Sequence, residues 1–276
     1  MKYTVLGASG FIGRHLVAAL VREGHQVYAP PRGSAEIFEQ PLGHVLYCIG
    51  LTADFRTRPF DTVRAHVTLL GDVLEKAEFE SLLYLSSTRV YARSSSGTEQ
   101  ANIPVDVHDP SDLYNITKLA GESLCRSCGR TGVKIARLSN VIGKDTASEN
   151  FLFALIREAL SGRILLQSDP ASSKDYILLE DVVSLLPRIA VSGNHFIYNV
   201  ASGRNLAHTD IVEALMRLTS CQYEVLKGSP RHDFPAIDIA RIRTEFGFSP
   251  SSVLDQLPTL LAEAAKGKTI PIDQAG

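Results

Sequence analysis

Tyr114 and Lys118 stand four residues apart in a stretch, 113–125, whose apolar spacing predicts a helix. At that separation two side chains share one helical face. A free phenol is a poor acid or base at neutral pH because its pKa is about 10, and an ammonium beside it favours the phenolate and draws that value down. Such a pair suits proton transfer to or from a sugar hydroxyl or a ketone. A run of hydroxyls, Ser86-Ser87-Thr88, ends the apolar stretch Leu82-Leu83-Tyr84-Leu85 and precedes Val90-Tyr91. A hydroxyl there is expected to bind the reacting oxygen and to orient Tyr114. Each feature alone is also what an exposed helix or a strand-end turn carries, so the weight falls on their combination.

That combination needs a redox partner, and the N-terminus offers a place for one. Gly7-Ala8-Ser9-Gly10-Phe11-Ile12-Gly13 follows the short apolar run Tyr3-Thr4-Val5-Leu6 and opens an amphipathic stretch that stops at Gly24. A strand, a glycine turn and a helix make a phosphate cradle: glycine allows a tight turn and close approach, and the helix start supplies unpaired N–H groups and positive dipole charge. The spacing is G-x-x-G-x-x-G rather than the commoner G-x-G-x-x-G. Gly7, Gly10, Phe11, Ile12, Gly13 and Arg14 are the candidate cofactor contacts of this turn, joined by Ile49, Gly50 and Ser86 at later strand ends and by Lys118.

The elements that must position these groups alternate. Apolar runs at 3–6, 26–29, 45–49, 82–86, 134–138, 164–166 and 196–200 predict strands, and periodic stretches at 11–23, 60–77, 113–125, 151–160, 180–190, 209–218 and 253–265 predict helices. The strand runs are continuously apolar, as in a parallel sheet covered on both faces. The class expected is α/β, a doubly wound and mostly parallel sheet. Its edge beyond the second strand should be missing, because 30–44 is barely long enough for a crossover. Residues 1–165 are expected to form the dinucleotide-binding domain, with the strand near 196–200 returning to it, and 166–276 a smaller substrate lobe and tail. Polar stretches at 93–112, 143–150 and 168–175 read as loops at the carboxyl ends of strands, where open α/β sheets bind ligands. The tail from 266 onward should fray.

Composition excludes several classes. The 276 residues carry a formal net charge of -2 with no long basic run, which argues against nucleic acid or an anionic membrane as partner. No apolar stretch approaches the ~20 residues of a membrane helix, and a first strand at residue 3 leaves no room for a leader. A cytoplasmic address is expected. Of the four cysteines, Cys125 and Cys128 form a C-x-x-C inside a helical pattern with no further ligands nearby, so reduced thiols and no metal are expected.

Together the glycine turn, Ser86-Ser87-Thr88-Arg89-Val90-Tyr91 and Tyr114-Asn115-Ile116-Thr117-Lys118 resemble, in order and spacing, the extended short-chain dehydrogenase/reductase family of NAD-dependent epimerase/dehydratase type. The resemblance continues through Arg137-Leu138-Ser139-Asn140-Val141-Ile142-Gly143, Lys174-Asp175-Tyr176-Ile177, Glu180-Asp181-Val182-Val183 and Tyr198-Asn199-Val200-Ala201-Ser202-Gly203. It implies Tyr114 as catalytic acid/base, Lys118 as its tuner and holder of the nicotinamide ribose, and Ser87 as the hydroxyl on the substrate oxygen. Asn140, Thr88 and Lys174 become substrate contacts. A nucleotide-linked sugar is the implied substrate, with hydride transfer at a sugar carbon, commonly C4, and a homodimer built on helices 60–77 and 113–128 is the implied assembly.

Four departures bear on the reaction. Dehydratases of this type carry Asp-Glu directly after the catalytic hydroxyl, where this chain has Thr88-Arg89, so 4,6-dehydration is not expected. The second predicted strand ends Val27-Tyr28-Ala29-Pro30-Pro31-Arg32 without the acid that binds a ribose 2′-hydroxyl, and Arg32 with Arg14 would suit a 2′-phosphate, which favours NADP(H) over NAD(H). Lys174 replaces the usual diphosphate-gripping Arg, and His66 replaces a common Asn. Epimerisation and reduction of a keto-sugar both fit. A non-catalytic dinucleotide sensor and a reductase of a non-nucleotide ketone are the alternatives.

Overall fold

The computed structural model describes residues 1–52, 54–144 and 150–267. In chain order the elements are β1 (Lys2–Leu6), α1 (Phe11–Arg22), β2 (Gln26–Tyr28), β3 (His44–Tyr47), α2 (Pro59–Val63), α3 (Leu69–Lys76), β4 (Ser81–Ser87), α4 (Leu113–Ser127), β5 (Val133–Leu138), β6 (Asn140–Ile142), α5 (Phe151–Leu160), β7 (Arg163–Leu166), β8 (Ser173–Leu178), α6 (Leu179–Ser192), β9 (Ile197–Val200), β10 (Asn205–Ala207), α7 (His208–Thr219), β11 (Gln222–Val225), α8 (Ala240–Phe246) and α9 (Val253–Gly267).

Six strands form a wholly parallel sheet of order β2-β1-β3-β4-β5-β9. The strands read as continuous apolar runs because successive side chains enter different cores. Leu83 and Leu85 of β4 pack with Leu16 and Leu20 of α1 and Leu185 and Ile189 of α6. Leu82 and Tyr84 of the same strand pack on the opposite face with Leu70 and Val73 of α3 and Cys125 of α4. As expected, β2 is an edge strand, and a single 3₁₀ turn (Ala35–Phe38) replaces the crossover that would have led to a neighbour.

The third core belongs to the smaller layer, where Leu152 and Ile156 of α5, Ile211 and Leu215 of α7 and Leu257 of α9 meet. Two small sheets lie here, β10-β8-β6 and β11-β7. Several expectations are corrected by them. The 164–166 run is β7, paired in parallel with β11 and absent from the main sheet. The end of the expected 168–175 loop is the first half of β8. β6, β10, β11 and α8 carry no clear sequence signal because they are short, and every residue of β11 is exposed. The 145–149 part of the expected 143–150 loop and the tail from 268 onward lie outside the described residues.

The predicted helix 60–77 is not one helix. A π-helical turn, Arg64–Thr68, separates α2 from α3. Such a wide turn is common at functional sites, and this one carries His66, wholly buried, toward the carboxyl edge of the sheet. Gly121 lets α4 approach it: a Cβ there would lie 2.6 Å from the Tyr84 hydroxyl and 2.8 Å from the His66 carbonyl. Among the described residues no helix is long and apolar enough to cross a membrane.

Candidate active site

The carboxyl ends of β1, β3, β4 and β5 open into a cavity of about 800 Å3, closed on its other side by β6, β8 and the start of α5. That is where an open parallel sheet exposes strand-end loops and helix N-termini, and the size suits a dinucleotide with a substrate. At one end lies the glycine turn. Gly7 has φ +88°, and a Cβ on Gly13 would stand 2.2 Å from the Gly7 carbonyl oxygen, so glycine is needed for the turn to close on itself. Gly10 caps α1 with no side chain over the first N–H groups, which leaves them for an anion. Gly10, Phe11, Ile12 and Gly13 line the cavity, as do Ile49 and Gly50 at the end of β3. Arg14 and Arg32 are exposed and do not line it. The first acid after β2, Glu36, accepts a hydrogen bond from the Tyr28 hydroxyl at 3.0 Å.

At the centre, Tyr114 on α4 and Ser87 at the tip of β4 line the cavity together, close enough for the Ser87 hydroxyl to draw the phenol's pKa down. Ser87 is held in turn by the Arg89 backbone N–H at 3.1 Å. Lys118, one turn on from Tyr114, donates to the Leu85 carbonyl at 2.8 Å, and its ammonium lies 6.0 Å from the Tyr114 ring centre. The balance of charges differs from the sequence expectation. Burial raises the Tyr114 pKa, opposed by the Ser87 hydroxyl and by the cation of Arg89, while burial brings Lys118 itself down to about 7. The cation felt by the phenol is therefore Arg89, a residue that sequence reasoning treated only as a departure.

His66 packs edge-on against Tyr114 at 5.3 Å. Its Nε2 accepts the Leu51 N–H at 3.3 Å, so the proton resides on Nδ1, 2.9 Å from the Thr117 hydroxyl, which itself donates to the Tyr114 carbonyl at 3.0 Å. Burial and the Lys118 charge push its pKa down to about 3, so the ring is neutral. The ring links the β3 loop to the helix that carries Tyr114 and Lys118.

The remaining candidates divide. Thr88, Asn140 and Lys174 line the cavity, with the Asn140 amide donating to the Asp175 carbonyl at 2.7 Å. Ser86 also lines it, yet its hydroxyl is directed to the Glu122 carboxylate at 2.6 Å. Glu122 is further bonded by Arg137 at 2.9 and 2.6 Å, and Arg137 reaches the Tyr91 hydroxyl at 2.6 Å. This buried network holds α4 to β4 and β5 from behind the site. Cys48 borders the cavity with its thiol pushed up to about 12 by burial, which makes it a poor nucleophile. Cys125 and Cys128 form no bridge, and the Cys128 thiol donates to the Cys125 carbonyl at 3.3 Å.

The family model for the NAD dependent epimerase/dehydratase family matches residues 3–201. The chain belongs to that family. Among curated relatives of this chain are UDP-glucose 4-epimerase from Lactobacillus helveticus, 22% identical across 91% of this chain and 92% of the relative, and dTDP-6-deoxy-L-talose 4-dehydrogenase (NAD(P)(+)) from Kitasatospora kifunensis, 24% identical across 92% of each. The solved structure of MoeE5 in complex with UDP-glucose and NAD superimposes with a TM-score of 0.80 at 21% identity, over 98% of this chain and all of that one. The likeness establishes the shared fold, and the named relatives are enzymes of nucleotide-linked sugars.

Proposed function

We propose that this family member is an NAD(P)-dependent epimerase or ketoreductase of a nucleotide-linked sugar, acting at C4 with Tyr114 as acid/base. The observation that carries the reading is the meeting of Tyr114, Ser87 and Lys118 in one cavity with a glycine turn and a bare helix start. The dinucleotide, when bound, supplies a hydride acceptor or donor. Gly7, Gly10 and Gly13 would make room for its diphosphate, Phe11, Ile12, Ile49 and Gly50 would border it, and Lys118 would hold its ribose. Ser87 holds the sugar oxygen against the Tyr114 phenol, which takes the proton when a hydroxyl becomes a carbonyl and returns it in the reverse direction. Asn140, Thr88 and Lys174 hold the sugar nucleotide.

Thr88 and Arg89 offer no second acid/base pair, so 4,6-dehydration is outside this proposal. NADP(H) is the proposed preference, supported by the absence of an acid within β2 and by Arg14 and Arg32 nearby in sequence. Most of residues 1–165, with β9, would serve the dinucleotide, while β6, α5 and β7 join the later chain in the layer that would serve the substrate. The face of α2, where Phe60 is 76% exposed, with α4 would serve a homodimer.

Fluorescence titration with NADPH and NADH, and turnover of UDP- and dTDP-linked hexoses by wild type and Tyr114→Phe, test the reading together. Tyr114→Phe is expected to bind dinucleotide normally and to lose turnover by roughly 10²- to 10⁴-fold. Undiminished turnover in that variant sinks the assignment.

A further inference from the structure

The cavity wall beside Tyr114 is cationic, and the proposed reaction leaves that charge unused. Arg89 lays its guanidinium 5.4 Å from the Tyr114 ring centre and 4.8 Å from that of Phe55. Arg56 lies 4.5 Å from the same Phe55 ring. Ser111 joins the two: its carbonyl accepts from Arg89 at 3.4 Å, and its hydroxyl accepts from Arg56 at 3.2 and 3.0 Å. Lys174 lines the same cavity close enough for the Arg89 charge to oppose its own, and Arg56 opposes that of Arg89.

Among the described residues none of these three cations has a carboxylate within ion-pair distance. The acids whose fields reach Arg89 are Asp109 and Asp112, and both are taken by Arg93, at 2.7 and 2.9 Å. Gathering like charges in a half-enclosed site is unfavourable unless an anion joins them. Position says which anion. In a nucleotide sugar the diphosphate is separated from the reacting carbon by the width of the ring, and Lys174 serves that end. Arg89 stands at the phenol, so its counter-charge must be on the sugar, next to the carbon that reacts. A planar guanidinium fork matches a carboxylate in two parallel hydrogen bonds.

Resting on the nucleotide-sugar reading above, we propose that Arg89 and Arg56 are specificity-determining residues that bind a carboxylate on the sugar ring, so that the substrate is a nucleotide-linked uronic acid rather than a neutral hexose. The test is steady-state kinetics of the full chain with matched pairs, UDP-glucuronate against UDP-glucose and the dTDP-linked counterparts, with NADP+ and NAD+. Wild type is expected to favour the uronate in kcat/KM by about thirtyfold or more. Arg89→Met is expected to lower the uronate value by roughly tenfold to a hundredfold, chiefly through KM, and to bring the ratio of the two sugars near one. Arg56→Met acts in the same direction with smaller size. Dinucleotide titration reports the folding of both variants. Should Arg89→Met fail to bind dinucleotide, the exposed Arg56→Met decides. Equal turnover of both sugars by wild type, or a uronate preference untouched in the folded variants, overturns this inference and leaves the nucleotide-sugar reading standing. Neither binding nor turnover of any of these sugars by wild type overturns both.

Discussion

His66 is neutral by construction, and its protonation would break three things together: the bond that Nε2 accepts from Leu51, the dry packing against Tyr114, and the tolerance of the Lys118 charge. Its pKa in the fold is about 3 against an ordinary 6.5. The unfolded chain therefore binds the proton first as pH falls, and the stability present above about 6.5 is lost progressively toward 3. At pH 5 the loss from this residue amounts to roughly 2 kcal/mol. Urea unfolding of wild type and His66→Asn between pH 7 and 5 checks this: the wild type should weaken by about that much more than the variant. His208, buried and held down to about 4, remains in both and sets the common background. Parallel pH dependence of the two proteins would remove His66 from the account.

At the scale of elements, the site depends on how closely α4 lies against the π-helical turn before α3. Tyr114, Lys118 and Gly121 share α4, and Gly121 stands at the point of nearest approach. Gly121→Ala places a methyl 2.6 Å from the Tyr84 hydroxyl and 2.8 Å from the His66 carbonyl. Backbone cannot yield as a flexible side chain would, so the helix must move outward. The expected cost is about 1–3 kcal/mol of stability, seen as a fall in Tm of several degrees. Because the same displacement carries Tyr114 away from Ser87, turnover should drop by more than dinucleotide affinity. A variant as stable and as active as wild type would show that this helix contact is slack.

At the scale of the whole molecule, one buried network ties the sheet to the later chain. Ser86, Glu122, Arg137, Tyr91 and Asn199 are all nearly inaccessible and are linked in series by hydrogen bonds of 2.6–2.9 Å. Asn199 of β9 then bonds the carbonyls of Gly97 and Asp238, and Glu99 receives both the Asn199 N–H and Arg241. Arg137→Met would leave the Glu122 carboxylate buried without its fork, and a broken buried pair costs about 3–5 kcal/mol. Calorimetry should show a fall in Tm of roughly 6–20 °C, with strands on both sides of β5 losing hydrogen-exchange protection together. A fall under two degrees would mean that the pair only balances its own desolvation.

Much was legible in the residues alone. Glycine spacing, the four-residue step from Tyr114 to Lys118 and the continuous apolar strands are local facts, and local sterics and helical period convert them directly into a turn, a shared face and a doubly covered sheet. The order of motifs along the chain was enough for the family. The cationic wall was not legible, because Arg56 and Lys174 belong to segments far apart in the chain and only the assembled fold brings them to the cavity that Arg89 also lines. The direction in which Tyr114 and Lys118 are perturbed was likewise hidden. Spacing states which charges are neighbours, whereas the sign of a pKa shift depends on how much water the packed core removes, and that is a property of the assembled fold.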